Sequence, residues 1–145
     1  MISARSRLVL VLLAPLALVA CSEQHAVSAP DPQAILRAIP AADSARYQEV
    51  RDMKAWRNPY LIVRPNAIIL YDFSDNAEIT LKPEELLPAL ANLPISNWPY
   101  GRVVAAAEDE TRASEQDAIA VRRNKGIIGG LLHGANIQVK WVPSA

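Results

Sequence analysis

The feature that most constrains this chain is a short apolar run that ends directly before its only cysteine. Two arginines precede the apolar residues 8–20, and Cys21 follows them. A basic start, an apolar stretch of this length and small residues before a cut site are typical of a secretory signal. The run is shorter than the roughly 20 residues of a bilayer-spanning helix, and Pro15 disfavours such a helix further. Residues 1–20 are therefore predicted to be a signal peptide, which leaves residues 21–145 to fold.

The tetrapeptide Leu18-Val19-Ala20-Cys21 resembles the lipobox of bacterial lipoproteins. The resemblance implies cleavage before Cys21, a diacylglycerol on its sulfur and an acyl chain, such as palmitate, on the new amino terminus. Two or three acyl chains anchor a protein stably, since each buried methylene contributes about 0.8 kcal/mol. Ser22, rather than aspartate, follows the cysteine, which in Gram-negative lipoproteins implies the periplasmic face of the outer membrane. A plain secretory signal with a chance cysteine is the alternative interpretation.

Composition sets limits on the part that remains after cleavage. Removing residues 1–20 leaves 125 of the 145 residues, lowers Lys+Arg from 15 to 13 and leaves Asp+Glu at 15. This length is enough for one modest domain. The slightly acidic balance offers no basic patch or stripe, so no nucleic-acid partner is expected. With Cys21 lipidated no thiol remains for a disulfide, and the fold must depend on core packing. No other cofactor is predicted.

Two segments precede the main domain in this interpretation. Residues 21–30 are small and polar without a period, and they are predicted to be a flexible tether. Residues 31–58 are predicted to be a helical segment. Asp31, followed by proline, is a typical start for a short helix. Asp43 is expected to cap a second helix over residues 44–55.

Residues 59–145 alternate strand and helix patterns. Four short apolar stretches predict strands, at residues 60–64, 67–71, 102–107 and 136–142. Pro65-Asn66 suits a tight turn, so the first two strands should form an antiparallel hairpin, while residues 77–81 extend the sheet only briefly. Helices are predicted from Pro83, where Pro88 either separates or kinks the first turn, and from Glu115. The order predicts an α+β fold, a small two-layer sandwich whose mixed four-stranded sheet carries helices on one face.

From Leu61 onward this order is similar to the periplasmic domain of the ExbD/TolR biopolymer-transport family. The resemblance covers about 80 residues and includes a strand hairpin, a helix start at Pro83–Leu87 and the strand Val103–Ala107. It implies a small mixed-sheet domain. That family carries an N-terminal transmembrane helix with a proton-coupling aspartate, whereas this chain has a lipobox, so a force-transducing role is not implied.

The last predicted helix carries the candidate partner surface. Gly126, Gly130 and Gly134 recur once per helical turn, and Arg122 and Arg123 form a small basic cluster beside them. Each glycine costs a helix roughly 1 kcal/mol relative to alanine, so something should offset that cost. One interpretation is close packing of the helix on the sheet, or fraying of the helix end. The other is a partner-binding surface with accessible backbone.

No catalytic or metal motif is recognisable. His133 is most simply a cation at the negative end of a helix dipole, and Asp72 with its acidic neighbours lacks the spacing of a calcium loop. The leading hypothesis is a non-enzymatic module that binds or assists an envelope protein or polymer. The alternative is a wall-modifying hydrolase that uses a carboxylate pair at Glu108 and Asp109. The tryptophans, with Tyr60 and Tyr100, either pave a binding surface or fill the core.

Overall fold

The computed structural model describes residues 29–109, 111 and 114–143. Cys21, the predicted signal peptide and most of the predicted tether lie outside this range. Three helices are present in it, α1 (Pro32–Ala38), α2 (Leu86–Ala91) and α3 (Glu115–Gly134), with five strands, β1 (Tyr60–Val63), β2 (Ile68–Asp72), β3 (Ala77–Leu81), β4 (Val103–Glu108) and β5 (Gln138–Trp141). No helix within the described ranges is long and apolar enough to span a bilayer.

The predicted α+β class with a mixed sheet is confirmed. The strand order is β3-β2-β1-β4-β5. β1 pairs antiparallel with β2 and parallel with β4, β2 pairs antiparallel with β3, and β4 pairs parallel with β5. The sheet has five strands rather than the predicted four, because residues 77–81 pair with β2 along their whole length.

The predicted hairpin of β1 and β2 is also confirmed. Its turn is closed by the Arg64 N–H, which donates to the Ala67 carbonyl at 2.9 Å. In this register Tyr60 lies opposite Tyr71, and Val63 lies opposite Ile68. Directly opposed residues project from the same face of a sheet. Tyr60 and Tyr71 therefore share one face, and Val63 and Ile68 share the other.

One face of the sheet, called the helix face here, holds an aliphatic core closed by the helices. Alternate strand residues such as Leu61, Val63 and Val104 project into this core, where they are buried. α3 contributes an apolar stripe of Val121, Ile128 and Leu132, none of which is exposed. This stripe recurs at helical spacing, which is why the helix lies flat on the sheet.

The sequence leaves open whether the first turn before Pro88 is a separate piece or part of a kinked helix. The structure shows a separate turn. Pro83–Glu85 form a separate 3₁₀ turn, and α2 begins at Leu86. The Glu85 carboxylate accepts from the Lys82 N–H at 2.8 Å and so satisfies one donor at the start. A proline in the first turn of an α-helix is tolerated because its missing N–H would be unpaired there anyway.

Residues 40–58 are called the crossing segment here. The prediction of a second helix in this segment is wrong. Instead of a helix over residues 44–55, the segment holds two isolated 3₁₀ turns, Ser44–Arg46 and Met53–Ala55. The Lys140 ammonium donates to the carbonyls of Tyr47 and Val50, at 3.0 and 2.7 Å. A continuous helix would have used such carbonyls itself, so tertiary contacts override the local preference.

The crossing segment passes from the helix face to the opposite face of the sheet, called the aromatic face here. α1 still contributes Leu36 to the aliphatic core, whereas Tyr47 and Trp56 pack against β4 residues on the aromatic face. Buried Asn58 fixes the end of the segment. Its amide donates to the carbonyls of Gly101 and Val103, both at 2.7 Å, and accepts from the Tyr100 N–H.

Candidate functional site

The site begins at the carboxyl ends of β1 and β4. These strands are parallel neighbours, and the chain leaves their ends in opposite directions. From β1 it turns back into β2, and from β4 it continues through α3 to β5. In open sheets, ligands bind in the crevice outside strands whose connections diverge in this way. A groove of about 360 Å³, called the aromatic groove here, lies at this point.

Aromatic side chains form the floor of the groove. Tyr60 stands between two others: its ring centroid is 5.9 Å from that of Tyr71 and 6.3 Å from that of Phe73. The apolar lining consists of Met53, Tyr60, Ile62, Tyr71, Phe73 and Ala107. Tyr71 and Phe73 are only half-buried, so their rings remain accessible to a ligand. Such rings offer large contact area at a low cost in conformational entropy.

Both tyrosines of the floor are neutral phenols at neutral pH. Burial raises the pKa of the Tyr60 hydroxyl above its ordinary value. The hydrogen bond with Glu78 is the largest cause of the raised pKa of Tyr71, with burial second. A neutral phenol offers an O–H donor as well as an apolar ring. The floor can therefore combine apolar contact with a small number of hydrogen bonds.

An ion pair spans the crevice at the strand ends. The Arg64 Nε lies 3.0 Å from the Asp109 Oδ2. The N–H and the hydroxyl of Thr111 donate to the other carboxylate oxygen, at 2.9 and 2.6 Å. These hydrogen bonds from Thr111 are the largest cause of the lowered pKa of Asp109, and Arg64 lowers it further. The rim of the groove is therefore built from a carboxylate that is ionised and already satisfied.

Two residues of α3 support this rim from the other side. The buried Asn124 amide donates to the carbonyls of Arg64 and Pro65, at 2.9 and 3.1 Å, and so fixes the hairpin turn. Lys125 lies 2.7 Å from a Glu108 carboxylate oxygen. The position of the groove is thus tied to the longest helix of the fold.

The predicted carboxylate pair lines the groove, but each member contacts a cation. Glu108 contacts Lys125, and Asp109 contacts Arg64. A glycoside hydrolase of the two-carboxylate type needs one carboxyl group with a raised pKa, so that it is protonated near neutral pH. The pKa of Asp109 is lowered instead. Asp109 therefore does not fit the role of the protonated acid in such a pair.

The predicted partner surface on α3 faces outward. Gly126, Gly130 and Gly134 are exposed, and a Cβ built at each meets nothing within 4 Å. Close packing of these glycines on the sheet, one form of the first interpretation, is therefore wrong, and the other form, fraying, is not seen because α3 stays helical through Gly134. Arg122 and Arg123 are exposed on the same helix. The Arg122 Nε–H donates to the Ala118 carbonyl one turn earlier in α3. The partner-binding interpretation of this surface stays a prediction.

His133 and Asp72, considered from the sequence as candidate catalytic or metal-binding residues, do not line the aromatic groove. His133 is exposed in the last turn of α3. Asp72 is buried and accepts from Ser74 and from the Asn97 amide, a network that closes the turn after β2. In the described ranges no three His, Cys, Asp or Glu side chains cluster as metal ligands.

The tryptophans divide between core and surface. Trp56 and Trp98 are fully or almost fully buried, with exposures of 0% and 3%, as the core-filling interpretation predicts. Trp141 is 39% exposed, and the Lys125 ammonium lies 4.4 Å from its ring centroid. The aromatic residues that line the groove are therefore Tyr60, Tyr71 and Phe73 rather than the tryptophans.

Several groove residues were not given a role by the sequence pattern. Phe73 falls between the strand predicted at residues 67–71 and the brief extension at residues 77–81, and Arg64 is only the end of a predicted strand. One signal was available: Tyr60, Ile62 and Arg64 alternate along the strand predicted at residues 60–64, so they should share one face. Tyr71 and Phe73 alternate in the same way, with Phe73 one residue past the end of β2.

Comparison of the chain with protein-family models, with curated proteins and with solved structures finds no match in any of the three. The resemblances to lipoproteins and to the ExbD/TolR domain therefore stay predictions from the residues that carry them.

Proposed function

We propose that this protein is a lipoprotein anchored by Cys21 to the periplasmic face of the outer membrane, where its domain binds an envelope protein or polymer without catalysing a reaction. The lipobox Leu18–Cys21 supports the anchor, and Ser22 supports the choice of membrane. The resulting partners are the lipid bilayer, through the acyl chains, and one further envelope component.

The observation that carries the binding proposal is the aromatic groove at the ends of β1 and β4. Its floor is apolar and only partly covered, since Tyr71 and Phe73 are half-buried. Binding sites in proteins combine such a floor with a few placed polar groups. Here these groups are the phenol of Tyr60 and the side chains of Arg64 and Thr111 at the rim.

The anchor and the groove are tested separately. For the anchor, Cys21→Ser should move the protein from the membrane fraction to the soluble periplasm and abolish labelling by radioactive palmitate. Circular dichroism should show an unchanged fold. A Cys21→Ser protein that stays in the membrane would contradict the proposed attachment.

For the groove, the protein is crosslinked with formaldehyde in the intact envelope of cells that produce it. The double variant Tyr71→Ala with Phe73→Ala should lose a discrete adduct that the unaltered protein forms. Ile79→Ala with Ile95→Ala is the matched control, because these aliphatic side chains are 38% and 66% exposed elsewhere on the surface. Digestion with a muramidase distinguishes a peptidoglycan adduct from a protein adduct. Equal adducts in both double variants would refute the groove as the binding site.

A further inference from the structure

The strand β5 forms a free edge of the sheet. It pairs with β4 on one side, where the N–H of Gln138 donates to the carbonyl of Arg102, just before β4, and the N–H of Val142 donates to the carbonyl of Ala106, both at 2.9 Å. Backbone groups alternate in direction along a strand, so those of Val139 and Trp141 point away from β4. No further strand lies beyond them in the described part of the chain. An edge of this kind can accept an additional strand.

A groove borders this edge on each face of the sheet. On the helix face, a groove of about 580 Å³ is lined by β5 together with Gly129 and His133 of α3. On the aromatic face, a groove of about 600 Å³ is lined by the end of β5 and by residues 50–54 of the crossing segment. Successive side chains of a strand point to opposite faces. A strand added to β5 would therefore direct alternate side chains into the two grooves.

The charges at this edge select the partner. Arg51 and Lys54 are exposed, and neither has an ion-pair partner among the described residues. Lys140 contacts two backbone carbonyls. The groove on the aromatic face thus holds three cations and one carboxylate, that of Asp52. Opposite charges across paired strands stabilise them, and like charges oppose pairing.

We infer that the β5 edge binds an extended acidic segment of a partner protein as an additional strand. The backbone groups of Val139 and Trp141 supply the hydrogen bonds, and the cationic groove supplies the selectivity. A second copy of this chain fits the edge less well, because it would bring the same cations into opposition. The surface adjoins the aromatic groove: the turn Met53–Ala55 lies between them, and its residues Met53 and Lys54 line both.

The test is hydrogen exchange on the full chain in detergent micelles, resolved to single residues by mass spectrometry. The probe is a short acetylated and amidated peptide that alternates glutamate with threonine, and the control peptide carries lysine in place of glutamate. At about ten times its Kd, the acidic peptide should slow exchange of the Val139 and Trp141 amides about tenfold, because only free protein exchanges. The lysine peptide should leave both amides unchanged.

Variants separate the roles of charge and backbone. Arg51→Glu, at an exposed position that lines this groove and not the aromatic groove, should weaken binding of the acidic peptide severalfold, whereas Arg37→Glu on α1 should not. Val139→Pro removes an outward N–H and should abolish protection of Trp141, with circular dichroism as the check of fold. The inference would be overturned if both peptides slowed exchange of these amides or if neither did. It would also be overturned if raising the protein concentration alone slowed their exchange. The groove variant Tyr71→Ala with Phe73→Ala should leave the protection intact, so this result and the crosslinking result fail independently.

Discussion

The two faces of the sheet are closed in different ways. On the helix face, aliphatic side chains interdigitate beneath regular helices, and α3 covers the sheet with a continuous stripe. On the aromatic face, the crossing segment has no regular helix and packs through Tyr47 and Trp56. A regular helix buries a face evenly, whereas an irregular segment covers only part of it. The aromatic groove and the groove beside β5 on the aromatic face therefore border the crossing segment, whereas the groove on the helix face lies between β5 and α3.

The faces also differ in what holds them together. Packing of apolar side chains stabilises the helix face. Specific hydrogen bonds hold the crossing segment: Asn58 bonds to three backbone groups, and Lys140 bonds to two. Mutations should accordingly act through cavities on one face and through unsatisfied polar groups on the other.

The largest effect is expected from a cavity on the helix face. Ile128→Ala removes a side chain with no solvent exposure and should lower the free energy of unfolding by about 2–5 kcal/mol. Its neighbour Ile127 is 43% exposed, so Ile127→Ala should change stability by less than about 0.5 kcal/mol. Urea denaturation monitored by circular dichroism measures both. Similar losses in the two variants would mean that α3 does not pack through this stripe.

A smaller loss is expected from Asn58, which anchors the crossing segment. Asn58 is 1% exposed, and Asn58→Ala leaves two carbonyls and one N–H without their partner. We expect a loss of about 2 kcal/mol in the free energy of unfolding and faster hydrogen exchange at the Tyr100 amide. Asn92→Ala, at an exposed position at the end of α2, is the control and should be nearly neutral. An unchanged exchange rate at the Tyr100 amide would show that Asn58 does not hold this N–H in place.

Substitution of an outward glycine should have the opposite sign. Gly130→Ala places a methyl group in open space on a helix and should raise stability by up to about 1 kcal/mol. Gly101→Ala is the contrast, because Gly101 has φ +76° and its new Cβ would collide with the Ala41 carbonyl. Thermal denaturation should therefore show a higher Tm for the first variant and a lower Tm for the second. A lower Tm for Gly130→Ala would show that the stability of the unbound domain itself requires glycine at this position.

The smallest effect is expected in a titration at the groove rim. Thr111→Val removes the largest cause of the lowered pKa of Asp109, so that pKa should rise toward its ordinary value. Arg64→Gln should also raise it, because the guanidinium lowers the same pKa. NMR titration of the Asp109 carboxyl carbon measures both shifts, and an unchanged pKa in Thr111→Val would contradict the assigned cause.

The same shift links stability to pH. Because the folded-state pKa of Asp109 lies below the unfolded value, its contribution is fully present above the unfolded pKa. It is lost as pH falls through the folded pKa. Thr111→Val should therefore flatten the acid limb of the stability profile slightly.

Local patterns were enough to predict the regular parts of the fold. The turn residues between β1 and β2, the apolar run of β4 and the capped helix α3 each follow from neighbouring residues. Ser114, at the N-cap of α3, accepts from the Asp117 N–H at 3.1 Å. β3 was underestimated because it lies at an edge, where Glu78 and Thr80 are exposed and weaken the strand pattern.

The rest depends on contacts between distant parts of the chain. The crossing segment was predicted as a helix, but its conformation depends on Lys140, about 90 residues later. The groove rim joins Arg64 to Asp109, 45 residues apart, through the parallel pairing of β1 and β4. Tyr60, Glu108 and Asp109 could be named from the sequence, but their assembly into one groove could not.

The most direct test of the central claim compares the aromatic groove with the outward face of α3. A photoreactive benzoylphenylalanine is placed at Phe73 in one protein and at Ile119, which is 56% exposed beside the predicted glycine surface, in another. After irradiation of the intact envelope, we expect a discrete adduct from position 73 and none from position 119. An adduct from position 119 alone would contradict binding at the aromatic groove and would assign it to the helix.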